Sequence, residues 1–486
     1  PGSPRAGDGE RHGMAKRNRA LIILTNTASN YLRQVVQIAA FVVLTPFIVS
    51  AVGKEEFGLW SLLQATVGLL GLMDAGFATS VVKYIAGARG AGDTRRVGGL
   101  TATFFWLYFA LGCAAALATL SLAPALPAIL GIPETQRETA RIVFLLVGLR
   151  TAAALPLGLF AGILTGFQKQ FLSNMTRLSG TVSYAVLAIV GLSMAPSLEL
   201  LAAISLGTGV AANIAALILC KTRLEGVRLS PRLFERSLVR EISSFSLYFF
   251  LIQVSILLYT RVDTIVVNAF LPLTAVALYS VAMGVSEKAS VLCRQVTGAL
   301  TPMIAELQGA GESKNIRAVL LKGSMLNIAA AAPLLVGLFW LCPPLLEAWM
   351  GPDFVEASGA MRWLLAASMI AVVHANAENV LSMTGHQRYL AFVYGGSQLF
   401  NVALTVALVQ PLGIEGAAIA SFATAALVQP LLILGRAARE HSMSFLSYYR
   451  ETLWPSIPGI AALLLFLWGA ESLLAAESIW LVAVYE

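Results

Sequence analysis

Apolar runs of about 20 residues, the length that crosses a bilayer as a helix, recur along the whole 486-residue chain. Twelve qualify: residues 27–52, 58–86, 98–123, 138–165, 172–195, 198–220, 244–270, 274–303, 322–345, 360–384, 388–410 and 413–435. A thirteenth covers 453–470, and Ser478 to Glu486 reads as the start of a fourteenth after the interruption Glu471 to Glu477. Inside a bilayer each backbone N–H and C=O must be satisfied within its own segment, so runs of this kind are helices. The expected fold class is an all-α polytopic membrane protein. The charged fraction agrees: it is 12%, against about 25% in a soluble domain.

The net charge of +7 would suggest a nucleic-acid partner in a soluble protein. Here the basic residues collect in alternate loops instead. With the N-terminus inside, the inner segments hold 24 of the 33 Lys and Arg residues, and the outer segments hold only Lys54, Arg137, Arg141 and Arg362. Such asymmetry marks the cytoplasmic side, so the N-terminus, the linker 221–243 and Arg436 to Arg450 are expected there. Residues 1–20 read as a disordered cytoplasmic N-terminus. Lys16, Arg17 and Arg19 precede an apolar run with no small-residue cleavage site, so that run reads as a first span and not as a removed signal. Cys113, Cys220, Cys293 and Cys342 form no CxxC pair, so neither a metal site, a cofactor nor a disulfide framework is expected.

The chain also matches itself at an offset of 219 residues. Phe57-Gly-Leu-Trp-Ser61 falls on Val276-Ala-Leu-Tyr-Ser280, Gly90-Ala-Gly-Asp93 on Gly309-Ala-Gly-Glu312, and Leu164-Thr-Gly-Phe-Gln-Lys169 on Met383-Thr-Gly-His-Gln-Arg388. The reading is two six-helix halves, 21–220 and 244–435, related by a pseudo-two-fold along the membrane normal and joined by 221–243. Residues 436–486 add an amphipathic stretch and one or two extra C-terminal helices. Repeats of this kind build transporters with the substrate site between the halves.

Ionisable groups inside spans are costly, and they commonly face a watery cavity or a partner. Ten fall there: Arg33, Asp74, Arg150, Arg261, Asp263, Glu287, Lys288, Arg294, His374 and Glu378. The first eight are candidates to line a substrate cavity. His374 and Glu378, at i and i+4 on one helix face, are candidates for a proton relay. The alternative is packing: ion pairs Arg33–Asp74 and Arg261–Glu287, and a hydrogen-bonded pair His374–Glu378. At 1.5 Å per residue, Arg33 and Arg294 both lie about 13–15 Å from the inner ends of their spans. The cations outnumber the acids, which suits an anionic substrate.

Catalytic signatures are missing: there is no GxxxxGK[ST], HExxH or GxSxG, so no enzyme activity is expected. Several motifs resemble the polysaccharide transporter family of the multidrug/oligosaccharidyl-lipid/polysaccharide (MOP) exporter superfamily. They are Asn30-Tyr-Leu-Arg33 before a span with Pro46, Glu55-Glu-Phe-Gly-Leu-Trp60 with Asp74-Ala-Gly76 and Lys83-Tyr-Ile-Ala86, and Thr165-Gly-Phe-Gln168 with its repeat Thr384-Gly-His-Gln387. The resemblance covers residues 20–440. It implies an O-antigen-type flippase of the bacterial inner membrane, serving lipopolysaccharide or other cell-surface polysaccharide synthesis. Such a flippase moves a polyprenyl-pyrophosphate-linked oligosaccharide by alternating access through a cavity lined with charged groups. The partners it implies are the lipid-linked oligosaccharide, membrane lipids, H+ or Na+ as coupling ion, and polysaccharide assembly proteins. Two other readings stay open. A cation-coupled multidrug exporter of the same superfamily predicts an acid-dominated cavity in the first half. A membrane-embedded glycan polymerase or ligase predicts a large outer domain.

Overall fold

The computed structural model describes the backbone of residues 7–74 and 77–485; the side chains of 1–24, 75–79, 240–253, 256, 259, 260, 313 and 473–486 lie outside the description. The expectation of disorder over residues 1–20 falls on those positions. The chain is all-helical and divides into two compact units, Pro1–Gln253 and Val254–Glu486. The first contains α1 (Gly7–Val52), α2 (Lys54–Gly68), α3 (Phe77–Gly90), α4 (Thr94–Leu122), the short α5 (Leu126–Ile129), α6 (Arg137–Gly166), α7 (Gln170–Met194) and α8 (Leu198–Arg223). Helix α9 (Arg236–Phe270) leads into the second. There follow α10 (Leu273–Cys293), α11 (Gln295–Gly309), α12 (Ser313–Trp340), α13 (Cys342–Met350), α14 (Ser358–Met383), α15 (Gln387–Leu427), α16 (Gly435–Glu440), α17 (Phe445–Thr452) and α18 (Ile457–Tyr485).

Among the described residues, eleven stretches are long and apolar enough to cross a membrane. One of them, Gln387–Glu440, contains both expected spans 388–410 and 413–435, which meet at a kink where Gly413 leaves the helical conformation at φ 60° and ψ −143°. The expected span 244–270 falls on α9, part of which lies outside the described side chains. The chain is thus a multi-pass membrane protein.

Helix boundaries repeat at the 219-residue offset. Helices α2 and α10 begin at Lys54 and Leu273, α3 and α11 end at Gly90 and Gly309, and α4 and α12 begin at Thr94 and Ser313. The turns between them use Gly92 at φ 70° and Gly311 at φ 72°, a left-handed conformation that costs glycine little. The residue after each glycine, Asp93 or Glu312, is the N-cap of the next helix. In the first unit Asp93 accepts from the Arg96 backbone N–H at 2.8 Å, which satisfies one of the free amides of the first turn.

The structure corrects the reading of 58–86 and 274–303 as unbroken spans. The first tightens into a 3-10 turn over Leu69–Asp74, where Gly68 and Gly71 weaken the α-helix. The second breaks at Arg294, at φ −75° and ψ −6°, between α10 and α11. The break therefore recurs in both repeats. The expected interruption between a thirteenth and a fourteenth span is also absent, since α18 runs on as one helix to Tyr485. The stretch Leu473-Leu-Ala-Ala-Glu477 consists of good helix formers.

In the first unit α3, α4, α6 and α8 enclose Val81, Ile85, Leu100, Phe104, Phe160, Ile163, Leu164 and Cys220. In the second, Ile304, Ile316, Leu320, Val380, Leu381, Leu390 and Ile433 form the core, together with Tyr448 of α17. Just before α16 the chain winds as a π-helix over Val428–Leu434, around Pro430, which has no N–H to donate. Helix α18 packs on α12 and leaves Leu465, Phe466 and Trp468 exposed.

Candidate functional site

The charged groups anticipated inside spans are held in several distinct settings. In the first unit, α1 and α7 share a polar seam. The Asn26 side chain accepts from Phe171 N–H at 3.0 Å and donates to the Gln168 carbonyl at 3.3 Å. One turn deeper, Gln170 and Asn174 both donate to the Asn30 side-chain oxygen Oδ1, at 3.1 and 2.8 Å, and Asn174 also donates to Ser29 at 2.8 Å. Deeper again stands Arg33, which donates to Gln37 at 2.9 Å. Arg177 of α7 stands close enough for the two positive charges to repel. Sequence reasoning counted Arg177 among the 24 inner basic residues, although it falls within the expected span 172–195. The structure places it seven residues inside α7, about 10 Å along the helix. The signal lay in the i, i+4 spacing of Gln170, Asn174 and the residue three further on, 177.

Asp74, at the break of the second span, accepts a short hydrogen bond from Tyr108 of α4. Arg150 of α6 donates to Ser205 of α8 at 3.1 Å and packs on Gly209, where a Cβ would sit 3.2 Å from its Nε.

In the second unit Asp263 is enclosed. It is 1% exposed and does not line open space. Five hydrogen bonds reach its carboxylate: Asn401 at 3.1 and 3.4 Å, Thr405 at 3.2 Å, Ser421 at 3.1 Å and Tyr279 at 3.2 Å. All the donors are neutral. Asn401 and Thr405, an i, i+4 pair, were missed because uncharged polar residues barely disturb an apolar run. Arg261, two residues earlier, has its Nε buried without a hydrogen-bond partner among the described residues. Glu287 lies 3.5 Å from its neighbour Lys288.

Arg294, at the break between α10 and α11, pairs with Glu378 of α14 at 3.3 Å. His374 meets α17: its Nε2 lies 2.9 Å from the Tyr449 hydroxyl, and its Nδ1 lies 2.7 Å from the Ile370 carbonyl. His374 and Glu378 thus engage different partners and do not bond to each other. No salt bridge joins Arg33 to Asp74 or Arg261 to Glu287 among the described residues.

The family described as polysaccharide biosynthesis protein matches residues 23–308, and the MatE family matches residues 249–407. An uncharacterized membrane protein of Methanocaldococcus jannaschii is 25% identical over 268 residues, covering 54% of this chain and 52% of that protein. The probable flippase AglR of Haloferax volcanii is 24% identical over 192 residues, 38% of this chain and 40% of that one. The chain spans about half or less of the length of these curated relatives. An inward-facing multidrug resistance MATE family transporter of the MOP superfamily superposes with a TM-score of 0.75 at 16% identity, covering 84% of this chain and 94% of the other. A MOP superfamily transporter from Pyrococcus furiosus gives 0.61 at 15% identity, covering 87% and 94%. These structures share the fold.

Proposed function

The chain belongs to the polysaccharide biosynthesis protein family, and from that premise we propose that it is a flippase for a polyprenyl-pyrophosphate-linked oligosaccharide. It carries this glycolipid across the cytoplasmic membrane by alternating access, for cell-surface polysaccharide assembly, with its N-terminus in the cytoplasm. The observation that supports this most is that Arg33 and Arg177 lie on the packed helices α1 and α7, beyond their polar seam, near enough for like charges to interact. Two guanidiniums in a low-dielectric layer repel strongly, and an anion between them relieves the repulsion. A diphosphate ester supplies that charge and suits the fork of Arg donors. Arg294 of the second unit, 3.3 Å from Glu378, is a separate cation to test.

Arg33→Ala, Arg177→Ala and Arg294→Ala should each reduce glycan export while membrane levels stay normal. Lys at these positions should keep part of the activity, since charge survives and bidentate geometry does not. Export at the wild-type rate by all three alanine variants sinks the cationic route.

Asp263 is the candidate for ion coupling. Its ring of hydroxyl and amide groups can hold a carboxylate in either protonation state or turn oxygens toward a cation. Asp263→Asn should abolish dependence of transport on an H+ or Na+ gradient. The multidrug-export reading draws on the match of residues 249–407 to the MatE family. It predicts that deletion raises drug sensitivity with surface glycan unchanged, the opposite of the outcome expected here.

A further inference from the structure

After α8 ends at Arg223, the chain does not leave the first unit. Residues 224–235 run back along α4, and every anchor is specific. The Trp106 indole donates to the Leu229 carbonyl at 3.1 Å, and the Glu235 backbone N–H donates to the Thr103 hydroxyl at 3.1 Å. Val227 and Leu229 pack against the core of the unit. The approach is close because glycines line both sides. A Cβ on Gly98 would stand 3.1 Å from the Gly226 carbonyl, and one on Gly99 would stand 2.7 Å from Glu235 Oε1. Gly226 itself holds φ +82°, and a Cβ there would stand 2.9 Å from the Thr94 carbonyl. The contacts run from Thr94 to Trp106, about 18 Å of helix. That reach exceeds the polar layer on one side of a bilayer, which is about 5–8 Å deep.

The outward side of this segment is basic on balance, with Glu225 and Glu235 exposed among more numerous cations. Arg228, Arg232 and Arg236 are exposed, as are Lys221 and Arg223 before them and Arg95 and Arg96 on the first turn of α4. None of these seven forms an ion pair among the described residues. Phe234, between the arginines, is 38% exposed. Guanidiniums on an anchored backbone with an exposed aromatic ring, alongside the start of a membrane span, match the polar–apolar boundary of a bilayer. A soluble polyanion would meet the charges but would leave Phe234 in water.

We propose that residues 224–236 form a strap that binds anionic phospholipid headgroups at the membrane surface from which α4 starts. This does not rest on the flippase reading. The strap is pinned to α4, so the arginines are presented at a set height and lose little freedom on binding.

The test uses the full chain in detergent, titrated with a fluorescent phosphatidylglycerol and, separately, with phosphatidylcholine carrying the same label. The wild type should prefer phosphatidylglycerol. Each basic residue near a membrane surface is worth about fivefold in binding, so R228Q/R232Q/R236Q should weaken phosphatidylglycerol binding by about 100-fold with an unchanged thermal midpoint. Gly226→Ala keeps every charge but displaces the strap, and it should also lower the preference. Equal binding of the two lipids by the wild type overturns the proposal, as does an undiminished preference in the triple variant. Wild-type preference in Gly226→Ala overturns the pinned geometry.

Discussion

Several positions that pack the first unit's core carry polar groups in the second, when paired at the 219-residue offset. Tyr108, Leu155, Leu159 and Phe160 are buried together; their counterparts are Asn327, His374, Glu378 and Asn379. Asn379 is well used, donating to the Thr297 carbonyl at 3.1 Å and accepting from Thr301 at 3.2 Å. Asn376 is not: it is 0% exposed, and neither end of its amide has a hydrogen-bond partner among the described residues. An orphaned buried polar group costs about 1–3 kcal/mol. Leu157 occupies the matching place in the first repeat, so Asn376→Leu should raise the thermal midpoint in detergent. A lower midpoint would show that the amide is engaged. Scanning the sequence for charge found the Arg and Asp residues inside spans but passed over these amides, because one Asn hardly lowers the hydropathy of a 20-residue window. Arg177 was overlooked for a different reason: loop and first turn look alike when a helix begins with polar residues.

At the scale of elements, the apolar runs made nearly every span legible, but the breaks were not. A span interrupted at Asp74 or Arg294 keeps its apolar composition on both sides, and composition carries no record of backbone angles. The C-terminal stretch was expected to lead from an amphipathic segment into a further helix; α17 and α18 stand there, and the two differ in weight. Helix α17 is built into the core: Tyr448 is 0% exposed, and its hydroxyl lies 2.6 Å from the Val373 carbonyl and 3.1 Å from Ser324. Helix α18 touches the bundle mainly along α12, with Trp340 donating to Glu471 at 3.0 Å. Loss of a buried aromatic ring costs about 3–5 kcal/mol. Tyr448→Ala should therefore lower the thermal midpoint more than deletion of residues 453–486. Gel filtration and thermal unfolding of the two variants would decide it, and the reverse ranking would refute the assignment.

For the whole molecule, the distribution of Lys and Arg predicts one orientation. After the four natural cysteines are replaced, Ser230→Cys and Ser442→Cys should resist a membrane-impermeant thiol reagent in intact cells and react after permeabilisation. Labelling from outside would invert the topology. The self-match was legible as three short motifs, and it extends to helix ends and to the glycine turns at 92 and 311. That regularity has a historical consequence. A segment with an even number of crossings can be copied end to end, and the new copy enters the membrane in the same sense without any change to its insertion signals. One duplication could thus have yielded a usable second half at once. The two copies now differ inside: where one packs phenylalanine, tyrosine and leucine, the other carries amides, a histidine and a glutamate.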